Sequence, residues 1–201
     1  GSLFETEVLG PEGQDWRVPV SELEHRIEVL SKSLKENNIP GVFIQHPVDL
    51  YYFSGGRQNS TLFVPARGSK ASKENGGDGP VLMVRRSLSR AKYEAGEDNS
   101  PFEIVQFPRM KILVEFLQQR GVEQAPALQF GEIPFDFASR FTSILSSLGV
   151  CKDATSIIHQ IREIKSQWEV QQMKASAQIQ AKMFEAVESK LKLGISELEL
   201  V

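Results

Sequence analysis

Three histidines, a lone cysteine and one glycine-rich turn are the first residues whose types could carry chemistry. His25, His46 and His159 lie in separate segments, without the short spacing that sets two imidazoles on one face as metal ligands. They read as polar surface residues, His25 and His159 on helices and His46 at a strand end. Cys151 follows Gly149-Val150, and no pattern beside it would lower its pKa, so it reads as a small half-buried thiol and not as a nucleophile. Ser54-Gly55-Gly56-Arg57 could cradle a phosphate, but it lacks both G-x-G-x-x-G and a Walker lysine. It reads as a structural turn.

The elements that must position these residues follow from the apolar spacing. Ser21-Glu22-Leu23-Glu24 has the form of a capping box, and Leu23, Ile27, Leu30 and Leu34 then share one helix face up to Asn37-Asn38 and Pro40. Gly41 to Gln45 is a short buried strand closed by His46-Pro47, and Val48 to Phe53 a short helix or turn before the Ser54-Gly55-Gly56 turn. Thr61 to Val64 and Val81 to Val84 read as strands. The polar stretch Arg67 to Gly79 between them has no large apolar residue and is expected to bury nothing and to be mobile. Helices are expected over Ser87 to Ala95, Met110 to Arg120 and Phe135 to Leu148, and strands over Glu103 to Phe107, Ala127 to Phe130 and Ser156 to Ile158. This alternation predicts an α/β fold. Its mixed, mostly parallel sheet has helices on both faces and is antiparallel only at the Thr61 to Val84 hairpin.

The C-terminal section differs. Ser166-Gln167-Trp168-Glu169 is a second capping box, and Val170, Met173, Ala177, Ala181, Phe184, Val187 and Leu191 recur at steps of three or four. One helix of about 26 residues, roughly 39 Å long, is expected, longer than a small sheet needs. After Gly194, Ser196-Glu197-Leu198-Glu199 is a third capping box whose helix has only a few residues before Val201. A capped helix without a body implies that the natural protein continues.

The totals exclude several classes. With 23 Lys and Arg against 26 Asp and Glu, the net charge of -3 leaves no cationic excess for nucleic acid or an anionic membrane surface. No apolar run reaches the roughly 20 residues needed to cross a bilayer. A single cysteine precludes an intrachain disulfide and fits a reducing cytoplasm. Gly1-Ser2 has the look of a protease scar left by expression, so residues 1–20 are read as scar and N-terminal extension.

The run Ile161-Arg162-Glu163-Ile164-Lys165-Ser166-Gln167-Trp168-Glu169, followed by Met173, Ala175 and Leu193-Gly194-Ile195-Ser196-Glu197-Leu198-Glu199, resembles the opening of the catalytic domain in the creatinase, prolidase and aminopeptidase P superfamily. The segment NNIPGVFIQHPVDLYYFSGG, residues 37–56, resembles the same superfamily independently. The resemblance implies a six-stranded, ribonuclease-H-like N-terminal domain over residues 21–164. Residues 165–201 would be the linker and first helices of a truncated pita-bread catalytic domain, with Ile164-Lys165-Ser166 at the boundary and Trp168 as a packing anchor. It implies a homodimer, a peptide substrate with an Xaa-Pro bond, and two divalent metals, manganese or cobalt, held by two Asp, one His and two Glu in the part that is absent. No catalytic residue and no metal ligand is expected on this chain. The ribonuclease-H topology also raises nuclease chemistry, which needs strand carboxylates for magnesium, and Gly41 to Gln45 has none.

By the same resemblance, the loop after the Tyr-x-x-Gly turn approaches the partner subunit's active site. Arg57, Gln58 and Asn59 would then bound the substrate, with Arg57 pairing a carboxylate and Tyr52 giving an aromatic wall. The competing reading has Arg57 as a solvated charge and Tyr52 as a core ring. Departures are Gly56-Arg57-Gln58, where the family often has a bulky apolar residue, and the long polar hairpin loop. The alternatives at the level of the whole protein are a creatinase-like non-peptidase hydrolase and a scaffold that has lost its metal ligands.

Overall fold

The computed structural model describes residue 15 and residues 17–200, so the N-terminal scar and most of the extension lie outside the described residues. The chain divides into two units, one running to Ile161 and the other from Arg162. In the first, helix α1 (Val20–Glu36) leads into β1 (Gly41–Ile44), α2 (Pro47–Ser54), β2 (Ser60–Pro65) and β3 (Val81–Val84). Helix α3 (Leu88–Glu94), β4 (Glu103–Gln106), α4 (Leu113–Gln119), α5 (Phe135–Leu145) and α6 (Thr155–Glu163) complete it.

The sheet has four strands in the order β1-β2-β3-β4. β1 pairs β2 antiparallel, β2 pairs β3 antiparallel, and β3 pairs β4 parallel. The sheet is therefore mixed, but its ladders are not mostly parallel and the antiparallel pairing is not confined to one hairpin. The physical reason lies at Gly55, whose left-handed φ of 70° ends α2 and turns the chain back along β1. The expected Ala127 to Phe130 strand makes single parallel bridges at Val42–Ala127 and Leu128–Asp153 and no ladder.

Alternation along the strands sends successive side chains to opposite faces. Val42, Ile44, Leu62, Val64, Leu82 and Val84 join α1, α2, α3 and α6 in one core, through residues such as Leu30, Phe53, Ala91 and Ile158. Phe43, Phe63, Val81 and Met83 join α4 and α5 in a second core, through Leu113, Leu117 and Phe141. Helices thus cover both faces, as the periodicity implies.

Other expectations change locally. Ser156 to Ile158 is not a strand but lies in α6, because Asp153 Oδ1 accepts from Thr155 N at 3.0 Å and Thr155 Oγ1 at 2.6 Å, turning the chain into a helix. The Ser21 capping box does not form: the helix begins one residue earlier, at Val20, with Pro19 as the N-cap, and no side chain caps α1. The polar Arg67 to Gly79 stretch does bury residues, since Ala71 and Ser72 are enclosed and Gly77 N and Gly79 N donate back to Ser72 O and Ala71 O.

In the second unit the helix α7 (Gln167–Lys190) is 24 residues long, opened by a capping box in which Glu169 N donates to Ser166 Oγ and Ser166 N to the Glu169 carboxylate. None of its residues is buried. At α8 (Glu197–Leu200) half of the third box forms, with Ser196 N donating to Glu199 Oε2 at 2.9 Å. No helix of the described residues is long and apolar enough to cross a membrane.

Candidate functional site

The strand directions place the C-terminal ends of β1, β3 and β4 beside the N-terminal end of β2, so one edge of the sheet collects Arg57, Gln58 and Asn59 together with Arg85 and Phe107. Helix α2 delivers the loop. Its Ser54 Oγ donates to Leu50 O at 2.6 Å and accepts from Gly56 N at 3.3 Å, which closes the Ser54-Gly55-Gly56 turn on itself.

Glu94, at the end of α3, holds the next two residues of the loop. It is buried at 9% exposure, and its carboxylate accepts from Arg57 N at 3.1 Å, from Gln58 Nε2 at 3.1 Å and from Arg90 Nε at 2.9 Å. A side chain at Gly56 would stand 3.1 Å from Glu94 Oε2, so glycine lets the carboxylate approach the loop. On the other side Arg85 N donates to Asn59 O at 2.8 Å. The backbone of Arg57 to Asn59 is fixed at both ends, while the Arg57 side chain is exposed and has no ion-pair partner among the described residues.

Tyr52 is placed differently. Its ring lies 3.9 Å below the Arg26 guanidinium and 4.9 Å from the Phe53 ring, and Arg26 Nη1 donates to Tyr52 O at 2.7 Å. It packs half-buried against the α1-side core, whereas Arg57, Gln58 and Asn59 follow one another in the loop.

A second polar cluster lies at the end of β1 and escapes sequence reading, because its members are spread over more than a hundred residues of chain. His46 Nδ1 is 3.0 Å from Asp49 Oδ2, and Gln129 Nε2 donates to the same oxygen at 2.7 Å. Gln129 Oε1 accepts from Gln45 N at 2.9 Å and His46 N at 3.2 Å, tying β1 to the neighbouring segment. Glu132 lies between two imidazoles, 2.7 Å from His159 Nε2 and 3.7 Å from His46 Nε2. The i, i+3 spacing of His46 and Asp49 at a helix start was the one legible sign of it. His159 is thus joined to His46 through Glu132, although their segments are remote in sequence. No group of three or more His, Cys, Asp or Glu able to hold a metal occurs among the described residues. Cys151 is buried, and that burial pushes its thiol pKa up against an opposing hydrogen bond with Thr142, which suits an inert thiol. A concavity of about 540 Å³ lies at the opposite edge of the sheet, beside Lys35, Phe63 and Gly121, away from Arg57.

Comparison with known proteins places this arrangement. The model of the creatinase/prolidase N-terminal domain matches residues 26–164. A curated Xaa-Pro dipeptidase from Pyrococcus furiosus is 25% identical over 181 residues, which is 89% of this chain and 46% of that protein. Among solved structures, an Xaa-Pro dipeptidase from Bacillus anthracis aligns with a TM-score of 0.68 at 18% identity, covering 89% of this chain and 46% of its own. Dipeptidase PepE from Mycobacterium ulcerans aligns with a TM-score of 0.68 at 18% identity, covering 92% and 48% respectively. An aminopeptidase P from Streptococcus thermophilus aligns with a TM-score of 0.53 at 14% identity over 70% of this chain and 98% of its own. The chain spans about half the length of the curated relative it matches.

Proposed function

The chain belongs to the creatinase/prolidase N-terminal domain family, and from that premise we propose that it is the non-catalytic N-terminal domain of a cytoplasmic, dimeric metallopeptidase that cleaves Xaa-Pro bonds. The domain contributes dimer contacts and part of the substrate-site wall. The observation that carries the second role is the loop at Arg57. Its backbone is clamped by Glu94 and Arg85, yet its guanidinium is exposed and unpaired among the described residues. A preorganised, unpaired guanidinium is suited to a substrate carboxylate, because little side-chain and loop ordering is left to be lost on binding.

In this reading Arg57 pairs the carboxylate, Gln58 and Asn59 shape the rim beside it, and Tyr52 gives an aromatic wall. The two metals, manganese or cobalt, belong to the catalytic part. The described residues offer no fitting set of ligands, and no step of the chemistry is assigned to this chain. The single parallel bridges at Ala127 and Asp153 support a fifth and a sixth strand of the family's sheet at those positions. The apolar stripe of α7, with Met173 and Phe184 exposed, is covered by the catalytic part.

Kinetics of the full-length protein test the role of the loop. Arg57→Ala is expected to raise KM for an Xaa-Pro peptide more than it lowers kcat. Unchanged kinetics would remove Arg57 from the site.

A further inference from the structure

Two consecutive glycines mark the place where the loop after α2 meets the end of α3. A side chain at Gly55, whose φ is 70°, would stand 3.4 Å from Glu94 O, and one at Gly56 would stand 3.1 Å from Glu94 Oε2 and 3.7 Å from its Cβ. The close approach puts one carboxylate against two successive residues. Glu94 Oε2 accepts from Arg57 N at 3.1 Å, and Gln58 Nε2 lies 3.1 Å from Oε1 and 3.3 Å from Oε2. A carboxylate only accepts, so the Gln58 amide must turn its NH2 end towards Glu94. Arg90, one turn earlier on α3, donates from Nε to Glu94 Oε1 at 2.9 Å and holds the carboxylate from the helix side.

The other ties on this stretch are local or made by backbone. Ser60 Oγ donates to Gln58 O at 3.0 Å, and Arg85 N donates to Asn59 O at 2.8 Å. Among the described residues, Glu94 is thus the one side chain remote in sequence that hydrogen-bonds residues 57–59, and it does so from 37 positions away. None of these bonds engages the Arg57 side chain, which stays exposed. A buried carboxylate that fixes the backbone under an exposed guanidinium governs where that guanidinium can point, without touching what it binds.

We propose that Glu94 is a positioning residue for the substrate wall, acting through the Arg57 backbone and the Gln58 amide. This role rests on the pairing of Arg57 with a substrate carboxylate, and adds that the order of the loop is supplied by a residue that never meets the substrate. Reach and charge can be separated at this position. Glu94→Asp keeps the charge but draws it back by one methylene from Arg57 N, whereas Glu94→Gln keeps the reach and one acceptor oxygen.

Steady-state kinetics of the full-length protein with an Xaa-Pro peptide, run beside melting curves, test the role. Glu94→Ala and Glu94→Asp are each expected to raise KM by about fivefold or more while kcat per folded enzyme stays within about twofold, and Glu94→Gln to raise KM less. The double variant Arg57→Ala/Glu94→Ala should exceed the more severe single variant by no more than about twofold, because both act through one guanidinium. Should Glu94→Ala fail to fold, Glu94→Asp and Glu94→Gln carry the comparison. An unchanged KM in Glu94→Asp, where Arg57→Ala raises it, would overturn the positioning role and leave the reading of Arg57 intact. Effects that multiply in full in the double variant, or a loss confined to kcat with a lowered Tm, would overturn it too. An unchanged KM in Arg57→Ala would remove the reading of Arg57 and this role together.

Discussion

Glu94 joins three parts of the first unit through one side chain. One buried carboxylate satisfies the amide of Arg57, the side chain of Gln58 and the guanidinium of Arg90. Removing it strands donors that the fold has taken from water. Glu94→Ala is expected to destabilise the chain by about 1–3 kcal/mol in urea unfolding, with Glu94→Gln losing less because it still accepts hydrogen bonds. Amide exchange at residues 56–59 should accelerate in the alanine variant, and unaltered exchange would show that the loop is held by other means. Cys151 makes a contrasting case. Burial raises its thiol pKa, so at pH values between the ordinary and the raised pKa the folded chain holds less thiolate than the unfolded chain. Ellman's reagent should therefore react slowly with the native protein at pH 8 and rapidly in denaturant, and equal rates would contradict the buried assignment.

At the level of elements, Gly77 tests the order of the polar hairpin stretch. A side chain there would meet Lys70 O and the backbone of Ala71 well inside contact distance. Gly77→Ala is expected to cost about 1–3 kcal/mol, measured by the fall in Tm or urea midpoint, whereas a mobile loop would tolerate it. The stretch escaped sequence reading because its order comes from backbone hydrogen bonds such as Gly79 N to Ala71 O, which polar composition does not reveal. The apolar spacing of α1, α5 and α7 did reveal those helices, and the Ser166–Glu169 box marked the start of α7 to the residue. Strand direction was less legible. The runs Gly41–Ile44 and Ser60–Pro65 identify themselves as buried strands, but their antiparallel pairing depends on the turn at Gly55. Ile157 and Ile158 fit a strand or a helix equally well as a short apolar run, and the Asp153 bonds decide for the helix. In the candidate site, the neighbourhood of Arg57 was legible from local sequence. Glu94 was not, because it lies 37 positions away, and neither was the His46–Glu132–His159 cluster.

Across the whole molecule, 23 Lys and Arg stand against 26 Asp and Glu, a net charge of -3. Arg67, Lys70 and Arg120 are paired with carboxylates, while the exposed Arg57 side chain has no ion-pair partner among the described residues. In the proposed reading the loop that carries Arg57 is part of the surface of a domain that binds and positions without performing hydrolysis. The central claim is that this chain is non-catalytic, and a direct assay tests it: the isolated 201-residue chain is supplied with manganese and an Xaa-Pro peptide, and released amino acid is measured. The expected result is no turnover above the manganese control, and turnover that depends on the chain would contradict the account.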